Sequence, residues 1–148
     1  MKRQPDPDLR KQIELEAVRH ATKYYESRSG GSQKVSSVEK DNVGWDLNVV
    51  APTGAVLKVE VKGLSGRDVV VELTPNEYEK MKDPAHRADY VIYIVTEAGT
   101  SGARSHIFRY NAEISKAKEL IWVACDGRQL KIQDRVAARL SAPYDPIE

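Results

Sequence analysis

Residues 44–62 read GWDLNVVAPTGAVLKVEVK. Two runs rich in Val and Leu flank Pro52, Thr53 and Gly54. Pro and Gly punctuate hairpins in this way, and Gly54 can adopt the positive φ that a three-residue loop needs. The stretch therefore predicts strands over 45–51 and 55–62. Centring the turn on Thr53 pairs residues whose numbers sum to 106, which sets Asp46 across from Glu60. The twofold period of a strand puts Lys58, Glu60 and Lys62 on one face and turns Val59 and Val61 to the other, read as core. Gly44 and Gly63 bracket the hairpin, where a missing Cβ permits close approach by a ligand or another backbone.

Two carboxylates facing each other at about 5 Å repel, and such a pair costs stability. A divalent cation reverses that sign, because Mg²⁺ takes hard oxygen ligands. Asp46 and Glu60 are thus candidate metal ligands, joined by the backbone C=O of Val61. Lys62 can orient an attacking water or offset charge developing on a phosphate. The same residues also read as the wet face of an ordinary hairpin, with Lys58 and Lys62 balancing the carboxylates. That second reading is the commoner fate of alternating charge.

Around the hairpin, LRKQIELEAVRHATKYYESR predicts a long helix with Asp8 as its N-cap. Ile13, Ala17, Val18, Ala21, Tyr24 and Tyr25 supply its apolar stripe, and SGGS ends it. QKVSSV is a short strand or an irregular approach to the hairpin. DVVVEL predicts a further strand, and Thr74-Pro75-Asn76-Glu77 matches a capping box that opens a helix. DYVIYIVT is the near-continuous apolar run of a strand buried on both faces. HIFRY, IWVAC and QLKI are strand-like, AEISKAKEL and DRVAARL helix-like, and the tail frays after Pro143. The order α-β-β-β-α-β is that of an α/β fold, a mixed central sheet flanked by helices.

The chain has 148 residues and a formal net charge of +1. One domain over 1–148 is expected, with no blanket polycationic surface. A single cysteine, Cys125, excludes an internal disulfide and a thiolate cage, and it reads as a small buried hydrophobe. The histidines, at 20, 86 and 106, have no ligand spacing. No apolar run approaches a membrane span and the N-terminus has no signal-peptide pattern, so a cytoplasmic protein is expected. Candidate phosphate contacts are Ser65 and Arg67 after the hairpin, Asn76 at a helix start, and Arg104, Arg109, Lys116, Lys118, Arg128 and Lys131 beyond.

Asp46 followed by Glu60-Val61-Lys62 resembles the D…(D/E)xK signature of the PD-(D/E)xK nuclease superfamily. More narrowly, IELEAV, NVGWDL, VEVKG, VELTPNEY and DYVIYIVT are similar to the C-terminal domain of NO VEIN proteins, found also in bacterial defence proteins. The similarity spans a core of about 8–97 and leaves 98–148 as an extension. It implies a restriction-endonuclease-like core and a Mg²⁺-dependent DNA endonuclease, with Mn²⁺ able to substitute and RNA not excluded. A role in restriction or anti-phage defence, and a homodimer, are further implications. The alternative is a non-catalytic module binding nucleic acid or protein on the same fold. Such nucleases often add a glutamate from the first helix, here Glu14 or Glu16. Glu14 has Ala17, Val18 and Ala21 around it and is selected as metal ligand; Glu16 has Arg19, His20 and Lys23.

Overall fold

The computed structural model of the chain describes residues 7–133 and 138–146. In chain order its elements are α1 (Pro7–Ser27), β1 (Lys34–Ser37), β2 (Leu47–Val50), β3 (Val56–Gly63), β4 (Val69–Leu73), α2 (Pro75–Lys82), β5 (Tyr90–Thr96), β6 (Arg104–Tyr110), β7 (Trp122–Val123), β8 (Lys131–Gln133) and β9 (Ala138–Ala142). The hairpin forms in the expected register, with Leu47 opposite Val59 and Val50 opposite Val56. Its loop closes through Ala51 N–H to Ala55 O and Gly54 N–H to Ala51 O, both 2.9 Å, with Gly54 at φ +90°.

Six strands make the main sheet in the order β1-β2-β3-β5-β6-β7, and three make a second sheet, β4-β9-β8. Within the main sheet only β3 and β5 run parallel. Every residue of β5 is buried, as its unbroken apolar run requires. The connection from β3 to a parallel neighbour must leave the sheet plane, and β4 with α2 is that crossover. DVVVEL is therefore a strand, but not of the hairpin's sheet; it pairs with β9, nearly seventy residues on.

The C-terminal third differs most from expectation. Residues 112–120 form turns closed by a Lys116–Glu119 bridge rather than a helix. DRVAARL, read as helical, contains the start of β9, in which Ala138 and Leu140 are buried and Arg139 is exposed, a period of two. Residues 134–137 of that stretch, and the first residues of the expected extended start, lie outside the described residues.

Each face of the main sheet has its own core. On one, Ile13, Ala17, Ala21 and Tyr25 of α1 pack on Leu47, Val49, Val59, Val61, Val91, Tyr93 and Val95. On the other, α2 and the second sheet cover Tyr90, Ile92, Ile94, Phe108 and Trp122 with Val71, Leu73, Tyr78, Met81 and Leu140. Strand alternation assigns Glu60 and Lys62 to this second face. Glu60 lies in a row with Ile92 and Phe108, and Lys62 in a row with Ile94 and His106. No helix among the described residues is long and apolar enough to cross a membrane.

Candidate active site

Asp46 stands one residue before β2. Its N–H donates to Val59 O at 2.9 Å, and its carboxylate Oδ2 accepts from Val61 N–H at 2.8 Å. The side chain is thus fixed by the backbone of the strand that carries Glu60. Glu60 is 1% exposed; its Oε2 lies 3.2 Å from Lys62 Nζ, and its Oε1 has no hydrogen-bond partner. Lys62 Nζ also donates to Glu77 Oε1 at 3.0 Å. Glu77 arrives from the first turn of α2, where the capping box forms as expected: Thr74 N–H donates to Glu77 Oε1 at 2.9 Å and Glu77 N–H to Thr74 Oγ1 at 3.2 Å.

Three carboxylates therefore surround one ammonium in a largely dry pocket. Burial drives the Asp46 carboxyl up to about 6, and the Glu39 and Glu77 carboxylates add to this against the Val61 N–H and Lys62. Burial also lifts Glu60 well above the ordinary carboxylate range; Lys62 pulls it back, and the Asp46 and Glu77 carboxylates push it up again. For Lys62, burial acts to lower the ammonium, but Glu60 and Glu77 overcome it and hold the group above its usual value. With all four groups ionised the cluster carries two surplus negative charges, the charge of one divalent cation. Asp46 has Oδ2 engaged by the Val61 N–H, and Glu60 has Oε2 engaged by Lys62 while its Oε1 is orphaned. The residues fit a hard cation, bound as Mg²⁺ commonly is by two carboxylates with water and phosphate oxygens completing the shell. Among the described residues no three or more His, Cys, Asp or Glu side chains come together as a metal-holding group, so the protein's share would be these two carboxylates.

Glu14 does not join this cluster. It is exposed on α1, which packs on the opposite face of the sheet. The buried line of α1 repeats every four residues, a step that precesses about 40° around an ideal helix. At the first turns it points with Ile13, about 100° from Glu14, so averaging over the whole stripe misassigns that residue. Glu16 is engaged with Arg19 at 2.8 Å. The fourth member is Glu77, whose signal in the sequence is the capping box, a pattern that by itself says nothing of Lys62.

The flanking glycines serve packing rather than a ligand. A Cβ on Gly63 would lie 2.8 Å from Ile13 O and 2.9 Å from Ala17 Cβ, so α1 presses directly on the end of β3. A Cβ on Gly44, which has φ +102°, would lie 2.5 Å from Lys80 Cγ of α2. Tyr90 OH donates to Gly44 O at 2.6 Å, pinning this turn beside the carboxylates. Lys58 continues the row toward the turn and contacts His86 Nδ1 at 2.8 Å beside the half-buried Trp45.

Most of the candidate phosphate contacts disperse. Ser65 and Arg67 are exposed on the loop after β3, and Asn76 Nδ2 donates to Asn42 O at 3.3 Å at the start of α2. Arg109 donates to Ala88 O at 3.2 Å and, by strand alternation, points to the α1 face. Arg128 is buried in a hydrogen-bond network with His106 and Asp126, so it is structural. His106 is likewise buried, and Cys125 is exposed rather than core.

A family model described as "Protein NO VEIN, C-terminal" matches residues 13–109. No curated protein and no solved structure matches the chain.

Proposed function

The chain belongs to the NO VEIN C-terminal family, and from that premise we propose that it is a Mg²⁺-dependent DNA endonuclease of the PD-(D/E)xK type. One observation carries the reading: Glu60 is buried, one of its oxygens lacks a partner, and Asp46 and Glu77 stand beside it around a single ammonium. Charge of this kind destabilises a fold unless a cation or protons offset it. The order of elements supports the same reading. Within the main sheet it runs α1, β1, β2, β3, α2, β5, with the acid residues on the β2–β3 hairpin and β5 parallel to β3.

Asp46 and Glu60 would hold the cation, with the Val61 carbonyl as a third candidate ligand. When bound, the cation lowers the pKa of a water and offsets charge on the phosphoryl oxygens. Lys62 has three N–H donors, of which Glu60 and Glu77 take two. The third is left for a water or a non-bridging phosphate oxygen. Held as an ammonium, Lys62 orients rather than accepts a proton. Water attacks phosphorus in line and the P–O bond to the leaving nucleotide breaks; the proton the water gives up ends, through solvent, on the leaving oxygen, so a phosphate monoester and a hydroxyl result. Glu77 fixes the lysine by tying it to the α2 cap.

The same contacts would also serve a binding module in which Lys62 only neutralises Glu60 and Glu77, and the two bonds made by Lys62 favour that second reading. Cleavage assays decide between them. Plasmid, linear duplex and single-stranded DNA are incubated with Mg²⁺ or Mn²⁺, beside Lys62→Ala. The nuclease reading expects cutting by the wild type that Lys62→Ala abolishes with its fold intact. If all DNA forms stay whole while being bound, the binding-module reading replaces it.

A further inference from the structure

Residues 143–145, expected to fray, are latched to the sheet. Arg128, 2% exposed, donates from Nη1 to Pro143 O at 2.6 Å and to Tyr144 O at 2.9 Å, and lies 2.9 Å from His106 Nδ1. Its Nε holds Asp126 at 3.0 and 3.1 Å, while His106 Nε2 lies 2.9 Å from Thr96 Oγ1. A buried guanidinium engaged on all sides thus fixes the backbone of Tyr144 at the end of β6. The Tyr144 ring in turn packs against two guanidiniums, Arg67 at 4.4 Å and Arg104 at 4.5 Å. Their carbons can therefore be no more than about 9 Å apart. The loop carrying Arg67 is itself tied down, by Glu97 N–H to Gly66 O at 3.1 Å and Ala98 N–H to Leu64 O at 3.0 Å. Asp145 meets Arg104 only at 3.7 Å and is 84% exposed, a contact that screening leaves weak.

Two like charges held on one ring repel, and an anion shared between them would offset that repulsion. Packing against an aromatic face uses the plane of a guanidinium and leaves its N–H edge, the fork that grips phosphate oxygens. We propose that Arg67 and Arg104, spaced by Tyr144, form a clamp for the phosphate backbone of the nucleic acid, beside the carboxylate site. The proposal rests on the nuclease reading and adds where the strand is held. Lys62, Ile94 and His106 occupy one row, and strands lie about 4.8 Å apart, so His106 is roughly 10 Å from Lys62. The Tyr144 ring centroid is 5.6 Å from that of His106. At about 3.4 Å of rise per nucleotide, the clamp engages backbone roughly three to five nucleotides from the cut. Tyr144 is a positioning residue; the arginines make the contact.

The test is fluorescence anisotropy with labelled single-stranded and duplex DNA, on a Lys62→Ala background with Mg²⁺ and on the wild type with EDTA, so that nothing is cut. Arg67→Gln with Arg104→Gln is expected to weaken binding at least tenfold and to lower the slope of log Kd against log salt by about 2. Tyr144→Ala should weaken binding while Tyr144→Phe, which keeps the ring, restores it. Unchanged affinity and slope in the double variant overturn the clamp, as does a Tyr144→Ala variant that only melts earlier. If the wild type cuts DNA and the double variant cuts and binds equally well, the clamp alone falls. A wild type that neither binds nor cuts removes both readings.

Discussion

Lys62 shows how much of this site is decided by neighbours rather than by the residue itself. Its ammonium is held between Glu60 and Glu77, so removing either partner changes where the remaining donors point. Lys62→Ala should abolish cutting, and circular dichroism should show the fold retained. Glu77→Gln keeps the shape of the side chain but loses the charge, and a drop in cutting of roughly 10- to 100-fold is expected, as for other supporting residues around metal sites. DNA affinity should hardly move, which gel-shift titration would check. At this scale the sequence was legible wherever geometry was local. Asp46, Glu60 and Lys62 share a face because strand alternation and one hairpin register require it. The choice of Glu14 failed because it needed the tilt of α1 across the sheet, which depends on packing. Glu77 was visible only as a cap because its second partner, Lys62, comes from a different element.

At the scale of elements, α2 does two jobs through one turn. The Thr74 hydroxyl accepts from Glu77 N–H and holds the residue that restrains Lys62. Thr74→Ala should cost about 1 kcal/mol, typical of a lost N-cap, and should also lower cutting, whereas an ordinary cap change would affect melting alone. Gly63→Ala should destabilise more, by roughly 1–3 kcal/mol, because its Cβ would collide with the backbone of α1. Thermal melts of both variants measure these. The hairpin, α1, α2 and β5 were readable because each carries its own period, cap or turn. β9 was not, since ARL fits a helix as well as a strand until β4 is there to pair with it. Likewise, fraying beyond Pro143 was a reasonable expectation without Arg128, whose burial only the finished fold reveals.

Across the whole molecule the controlling quantity is the surplus of buried negative charge. The folded chain keeps a proton on Asp46 up to about pH 6, and burial holds one on Glu60 beyond its usual range, whereas the unfolded chain releases both near pH 4. Between those values the folded state binds more protons. The stabilisation is complete below the unfolded pKa and is lost as pH rises through the folded one. For Asp46 alone this is worth roughly 2–3 kcal/mol. His106 works the other way: burial and then Arg128 hold it near 4, so it adds stability as pH rises from about 4 to 6.5. The site is therefore read by difference. Relative to Glu60→Gln, the wild type without metal should lose stability as pH rises above the ordinary carboxylate range, and denaturant melts at each pH test this. A divalent cation removes the difference by supplying the missing positive charge. The most direct measurement is the melting temperature at pH 7.5 with and without millimolar Mg²⁺, for the wild type and Asp46→Asn. Binding to the folded state alone raises that temperature, so the account predicts a rise in the wild type that Asp46→Asn lacks. No rise in the wild type, or an equal rise in both proteins, would contradict it.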